Sequence, residues 1–86
     1  MASYKIFFKP SSQKELRKIP STFLRPILAK INNLAEEPRP DQSRILKGDN
    51  RFFRLRQGDY RIVYEVNDEE KLVRIIKIGH RREVYD

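Results

Sequence analysis

Three arginines flanking one tight turn are the feature of this sequence best suited to chemistry. Phe52 to Gln57 and Tyr60 to Val66 alternate apolar and polar residues around Gly58-Asp59, the pattern of a two-residue β-hairpin. With Gly58-Asp59 at the tip, Arg56 stands opposite Arg61, Arg54 opposite Val63, Leu55 opposite Ile62 and Phe53 opposite Tyr64. Successive strand residues face opposite ways, so Phe53, Leu55, Ile62 and Tyr64 share a core face and Arg54, Arg56 and Arg61 share the other. Like charges directly across a ladder destabilise it, and a sequence shaped for stability alone would not set Arg56 against Arg61. Guanidinium groups gathered on one face hold phosphates through bidentate, charge-assisted hydrogen bonds, the electrostatic footprint of nucleic-acid binding. The plainer alternative is a solvated sheet face on which Asp59 and Glu65 offset part of the charge.

Composition points the same way. The 86-residue chain carries 19 Lys and Arg against 12 Asp and Glu, a net charge of +7, which favours a polyanionic partner. It has no cysteine, a single histidine and no acidic cluster at ligand spacing, so no metal site is expected. It also lacks the glycine-rich loop of nucleotide-hydrolysing enzymes, and no small-molecule cofactor is expected. No apolar run is long enough to span a bilayer, and Met1-Ala2-Ser3 does not open a signal peptide. A cytoplasmic location without a membrane partner is the expectation. His80 is the one side chain whose ordinary pKa lies near neutrality. Acid or base work is conceivable, but a surface or strand-end histidine with a structural hydrogen bond is the preferred reading of it.

The elements that must position these residues follow from periodicity. Tyr4 to Phe8 reads as a first strand, and Phe7 as a core residue. Ser12 and Glu15 form a possible capping box, predicting a short helix from Ser12 to Ile19 that Pro20 ends. Leu24, Ile27, Leu28, Ile31, Leu34 and Ala35 fall on one helical face, and Pro26 places the start of that second helix near Arg25. Glu36 to Pro40 stops it. Short strands follow at Arg44–Leu46, Phe52–Gln57, Tyr60–Val66 and Lys71–Ile78. One α+β domain over residues 1–86 is expected: strand, helix, helix, then an antiparallel meander of about three strands, with both helices packed on one face of the sheet.

Leu46-Lys47-Gly48, Phe53-Arg54-Leu55-Arg56, Gly58-Asp59-Tyr60-Arg61-Ile62-Val63-Tyr64 and Ile78-Gly79-His80-Arg81-Arg82-Glu83-Val84-Tyr85 together resemble the RelE branch of the RelE/ParE toxin superfamily. The resemblance covers nearly the whole chain. It implies a small RelE-like fold and the toxin of a type II toxin-antitoxin pair, an endoribonuclease that enters the 30S A site of the ribosome and cleaves mRNA in prokaryotic cytoplasm. It also implies a cognate RelB-like antitoxin. Carried over residue by residue, it makes Arg61, Arg81 and Tyr85 the catalytic set. Arg54, Arg56, Lys47, Arg51, Arg82 and His80 become the RNA-binding set. Phe52 departs from the pattern, since well-studied members carry lysine there.

The chemistry implied needs no metal ion. RNA supplies its own nucleophile, the 2′-hydroxyl, so a protein can cleave it by aligning that oxygen with phosphorus and stabilising the charge that develops. Arg61 and Arg81 would clamp the transition state, and Tyr85 would serve as general base or as a stacking platform. Tyrosine ordinarily titrates near pH ~10, and neighbouring guanidinium groups would lower that. Two rival readings share the fold: a non-cleaving RNA- or ribosome-binding protein, and a ParE-like inhibitor of DNA gyrase.

Overall fold

The computed structural model describes residues 3–46 and 51–80. The elements run β1 (Lys5–Phe8), α1 (Pro10–Arg17), α2 (Ser21–Asn33), β2 (Arg44–Ile45), β3 (Phe52–Gln57), β4 (Tyr60–Asn67) and β5 (Leu72–His80). They build a five-stranded sheet in the order β1-β5-β4-β3-β2, with both helices on one face. β2 through β5 pair antiparallel. β1 joins the far edge parallel to β5, Lys5 to Phe8 lying beside Leu72 to Ile75. The α+β architecture with an antiparallel meander is therefore as expected, and the parallel β1 makes the sheet mixed.

The hairpin has the expected register throughout, from Phe53 opposite Tyr64 to Arg56 opposite Arg61. Gly58 at its tip has φ +60°, the backbone a II′ turn demands at that position and one that glycine adopts without steric cost. Phe53, Leu55, Ile62, Tyr64, Val66, Val73, Ile75 and Ile78 form the buried side of the sheet. Ile27 and Ile31 of α2 and Leu34 at its C-cap, spaced at helical period, and Ile19 before it press down on them.

The helix boundaries differ from expectation for identifiable reasons. α1 starts at Pro10, not at Ser12, with Lys9 as its N-cap. Proline is preorganised for the first helical position, and that signal outranks the capping box. Ser12 sits inside the first turn and its hydroxyl donates to the Lys9 carbonyl at 2.8 Å. α1 ends at Arg17, and Pro20 is the N-cap of α2. α2 begins at Ser21, so Pro26 lies inside it and cannot donate to the Thr22 carbonyl. The burial of Ile27 and Ile31 outweighs that lost bond. Phe7 is 47% exposed rather than part of the core. Strand alternation sends Ile6 and Phe8 inward, leaving Phe7 outside under the Arg74 guanidinium at 5.8 Å.

Loop 36–43 is tied down by polar contacts. Tyr4 donates its hydroxyl to Asp68 at 2.6 Å, and Arg39 grips the same carboxylate at 2.7 and 3.2 Å. The fully buried Tyr64 donates to the Pro38 carbonyl at 2.9 Å. Burial pushes the Tyr64 phenol up to about 12, against an unfolded value of about 10. A raised folded-state pKa leaves its stability intact below pH about 10 and removes it as pH climbs through about 12. Tyr64→Phe should lose about 1 kcal/mol at neutral pH by orphaning the Pro38 carbonyl. In melts from pH 9 to 12 its alkaline destabilisation should shrink to the part owed to Tyr4, whose pKa is also raised by its bond to Asp68. An alkaline slope identical to the wild type would reject this assignment.

Candidate nucleic-acid interface

β3 and β4 each bury every second residue, which leaves the arginines no place but the helix-free face. Arg56 and Arg61 are direct cross-strand partners. Arg54 stands two residues along the same side of β3, and its own cross-strand partner on β2 is Arg44. The face thus carries two successive rungs of paired arginines. Beyond Arg61 the next strand presents Gly79, which places no side chain against the guanidinium. Arg61 itself is half-buried.

The electrostatic signature lies on Arg54. Burial holds its pKa below the ordinary guanidinium value, and the charges of Arg61, Arg56 and Arg44 depress it further. Gln42, Arg44, Arg54 and Arg56 line an open groove of about 300 Å³. Lys30 of α2 reaches the hairpin backbone, donating to the Arg56 carbonyl at 3.0 Å. Arg51, at the far end of β3, lies 4.0 Å from Glu65 and 5.7 Å from the centre of the Phe52 ring. The expected offset by Glu65 therefore acts at Arg51, away from the paired arginines.

β5 is held in place by α1. Its pairing with β1 ends at Ile75, and Glu15 takes over beyond that point. One carboxylate oxygen of Glu15 accepts the Ile78 amide at 2.8 Å, and the other meets the Lys77 ammonium at 3.4 Å. A helix side chain thus substitutes for a missing strand at the segment that faces Arg61. His80 alternates to the opposite side from Gly79. Its ring lies edge-on to Tyr60 at 5.7 Å, in a groove shared with Glu15, Lys18 and Lys77.

The structure therefore brings Arg54, Arg56 and Arg61 together, sets Arg51 at their margin, and places His80 on the other side of β5. Lys47, Arg81, Arg82 and Tyr85 lie outside the described residues. Arg44 and Gln42 are members of the surface that sequence reasoning missed. The link between β2 and β3 is longer than a two-residue turn, so the register that sets Arg44 beside Arg54 cannot be counted from it. Among the described residues, no three His, Cys, Asp or Glu side chains are placed to hold a metal ion, and no helix is long and apolar enough to cross a membrane.

Residues 6–85 match the family of ParE toxins of the type II toxin-antitoxin system parDE. The chain is 36% identical over 87 residues to the mRNA interferase toxin RelE of Escherichia coli, covering 96% of this chain and 90% of that protein. The isolated E. coli RelE toxin superposes with a TM-score of 0.82 at 30% identity, covering 91% of this chain and 84% of that one. The archaeal RelE–RelB complex from Pyrococcus horikoshii gives 0.83 at 29% identity, covering 95% and 99%.

Proposed function

This chain belongs to the RelE/ParE toxins of type II toxin-antitoxin systems, on the RelE side, and from that premise we propose that it is an endoribonuclease cleaving mRNA in the ribosomal A site. The observation that carries the reading is the pair of arginine rungs, Arg56 opposite Arg61 and Arg44 opposite Arg54. Such a stack of like charge costs stability and becomes favourable against a polyanion. Identity to a protein named an mRNA interferase makes RNA the polyanion of choice.

In the proposed reaction the substrate 2′-oxygen bonds to phosphorus as the bond from phosphorus to the 5′-oxygen breaks. The departing 5′-oxygen takes a proton from water, so the products are a 2′,3′-cyclic phosphate and a 5′-hydroxyl. Arg61 stabilises the charge that develops on the phosphoryl oxygens, and Arg54 and Arg56 hold the backbone in line. By family resemblance, Arg81 joins the clamp and Tyr85 takes the 2′-proton or stacks on a base. No metal takes part in this scheme. A RelB-like antitoxin is the proposed inhibitor, supported by relatives whose structures were solved as RelE–RelB complexes. Both substrate and ribosome place the activity in the cytoplasm.

The test adds the protein to a cell-free bacterial translation system and maps mRNA 5′ ends by primer extension. New ends within A-site codons on translated message, absent from free message, are expected. They should persist in phenanthroline, which strips transition metals and spares the magnesium that ribosomes need. Intact message from folded protein would overturn the reading. Because the matching family is described for ParE toxins, inhibition of gyrase supercoiling is the second reading and the next assay.

A further inference from the structure

Nothing in the proposed reaction explains Arg44. It lies on the two-residue edge strand β2, is exposed, and shares no turn with the hairpin arginines. Yet it is fixed. Its Nη1 donates to the carbonyls of Asp41 and Ser43, both at 3.2 Å, which aims the guanidinium without neutralising it. Ladder pairing then sets it across from Arg54.

The two arginine rungs are two residues apart along β3, about 7 Å, and lie on opposite sides of it, so their centres are about 8 Å apart once the strand spacing is included, within reach of successive phosphates for side chains as long as arginine. Among the described residues, the groove at the Arg44 rung is lined by Gln42, Arg44, Arg54 and Arg56. These described side chains are polar or charged and suit a backbone better than the apolar residues of a peptide. The groove offers guanidinium donors, which suit phosphate, and an amide that can both donate and accept, which suits a ribose hydroxyl.

We propose that this groove is a second phosphate subsite, in which Arg44 and Arg54, helped by Gln42, seat an RNA backbone phosphate adjacent to the one held by Arg56 and Arg61. Arg44 is a positioning residue here, not a catalytic one. It fixes the register of the strand so that the neighbouring linkage lies at Arg61. The inference rests on the RNA-directed reading above and adds a residue and a binding step to it.

The experiment measures binding of a single-stranded RNA dodecamer to the full-length toxin by fluorescence anisotropy across a salt series. Wild type, Arg44→Gln and Arg17→Gln are compared, all checked for folding by circular dichroism. Arg17 is an exposed cation on α1, so its variant matches the change in net charge. Arg44→Gln should raise Kd about fivefold regardless of sequence and flatten the slope of log K against log salt by about 0.7, the loss of one phosphate contact. Arg17→Gln should change neither beyond a small uniform offset. Equal behaviour of the two variants would overturn the subsite while leaving the nuclease reading standing. Wild type that fails to bind RNA at any salt would instead strike the underlying reading. If Arg44→Gln binds RNA like wild type but loses affinity for an acidic peptide, the groove is a protein-docking site and the inference is wrong.

Discussion

Arg61→Gln should reduce cleavage of translated message by about 100-fold, the usual cost of removing one preorganised charge donor from a transition state, without lowering thermal stability. The two halves of that expectation come from one geometry. Arg61 faces Arg56 directly across the ladder and faces Gly79, which carries no side chain, on its other side, so the side chain paired with it in the ladder bears a like charge. Removing the charge takes a donor away from the bound phosphate, and it also relieves the repulsion from Arg56 across the ladder, worth a few tenths of a kcal/mol. Single-turnover cleavage and a thermal melt on the same sample separate the cases. Activity within twofold of wild type would remove Arg61 from the chemistry. A parallel fall in activity and melting temperature would make it a structural arginine.

The adjacent residue should do the reverse. Ile62 is fully buried, sits between Leu55 and Ile78 on the neighbouring strands, and points into the core because Arg61 points out of it. Ile62→Ala should cost about 2–5 kcal/mol through lost burial and the cavity left behind. For a domain of this size that is a large part of a total expected to be about 5–15 kcal/mol. Urea unfolding should show a lower midpoint with an unchanged slope, while the folded fraction keeps its cleavage rate. A partner that binds only the folded state should restore much of the loss by mass action. A cost below about 1 kcal/mol would mean that α2 can settle into the gap and that this position is not central to the core.

How much of this was readable in advance depended on how short-range the determining signal was. The hairpin was readable residue by residue, because a two-residue turn at Gly58-Asp59 fixes the register of everything beside it. The α2 stripe was readable because its period repeats over about three turns, from Leu24 through Ile27 and Ile31 to Leu34 and Ala35. The boundaries of both helices were not. Ser12 and Pro10 both carry N-terminal signals, and only the weight of the proline against the capping box decides between them. Pro26 looked like a start because its cost inside a helix is local, whereas the burial that outweighs it is not. Phe7 lies in an unbroken apolar run that does not reveal which parity faces inward. Arg44 was invisible as a member of the surface because strand pairing across an irregular connection put it there. The arginine face was thus legible in its central rung and illegible in its outer one.

The parallel placement of β1 also has a consequence for timing. The strand made first lies along the strand made last of those in the sheet, and β5 separates it from every other strand. During synthesis β1 can find no neighbour until Leu72 to Ile75 have emerged, and a pairing between such distant segments forms slowly. The position opposite Arg61 belongs to the same late strand. A growing chain therefore holds its arginines on an unfinished sheet until β5 has been made, and the strand that gives β1 its neighbour is the same one that completes the surface beside Arg61.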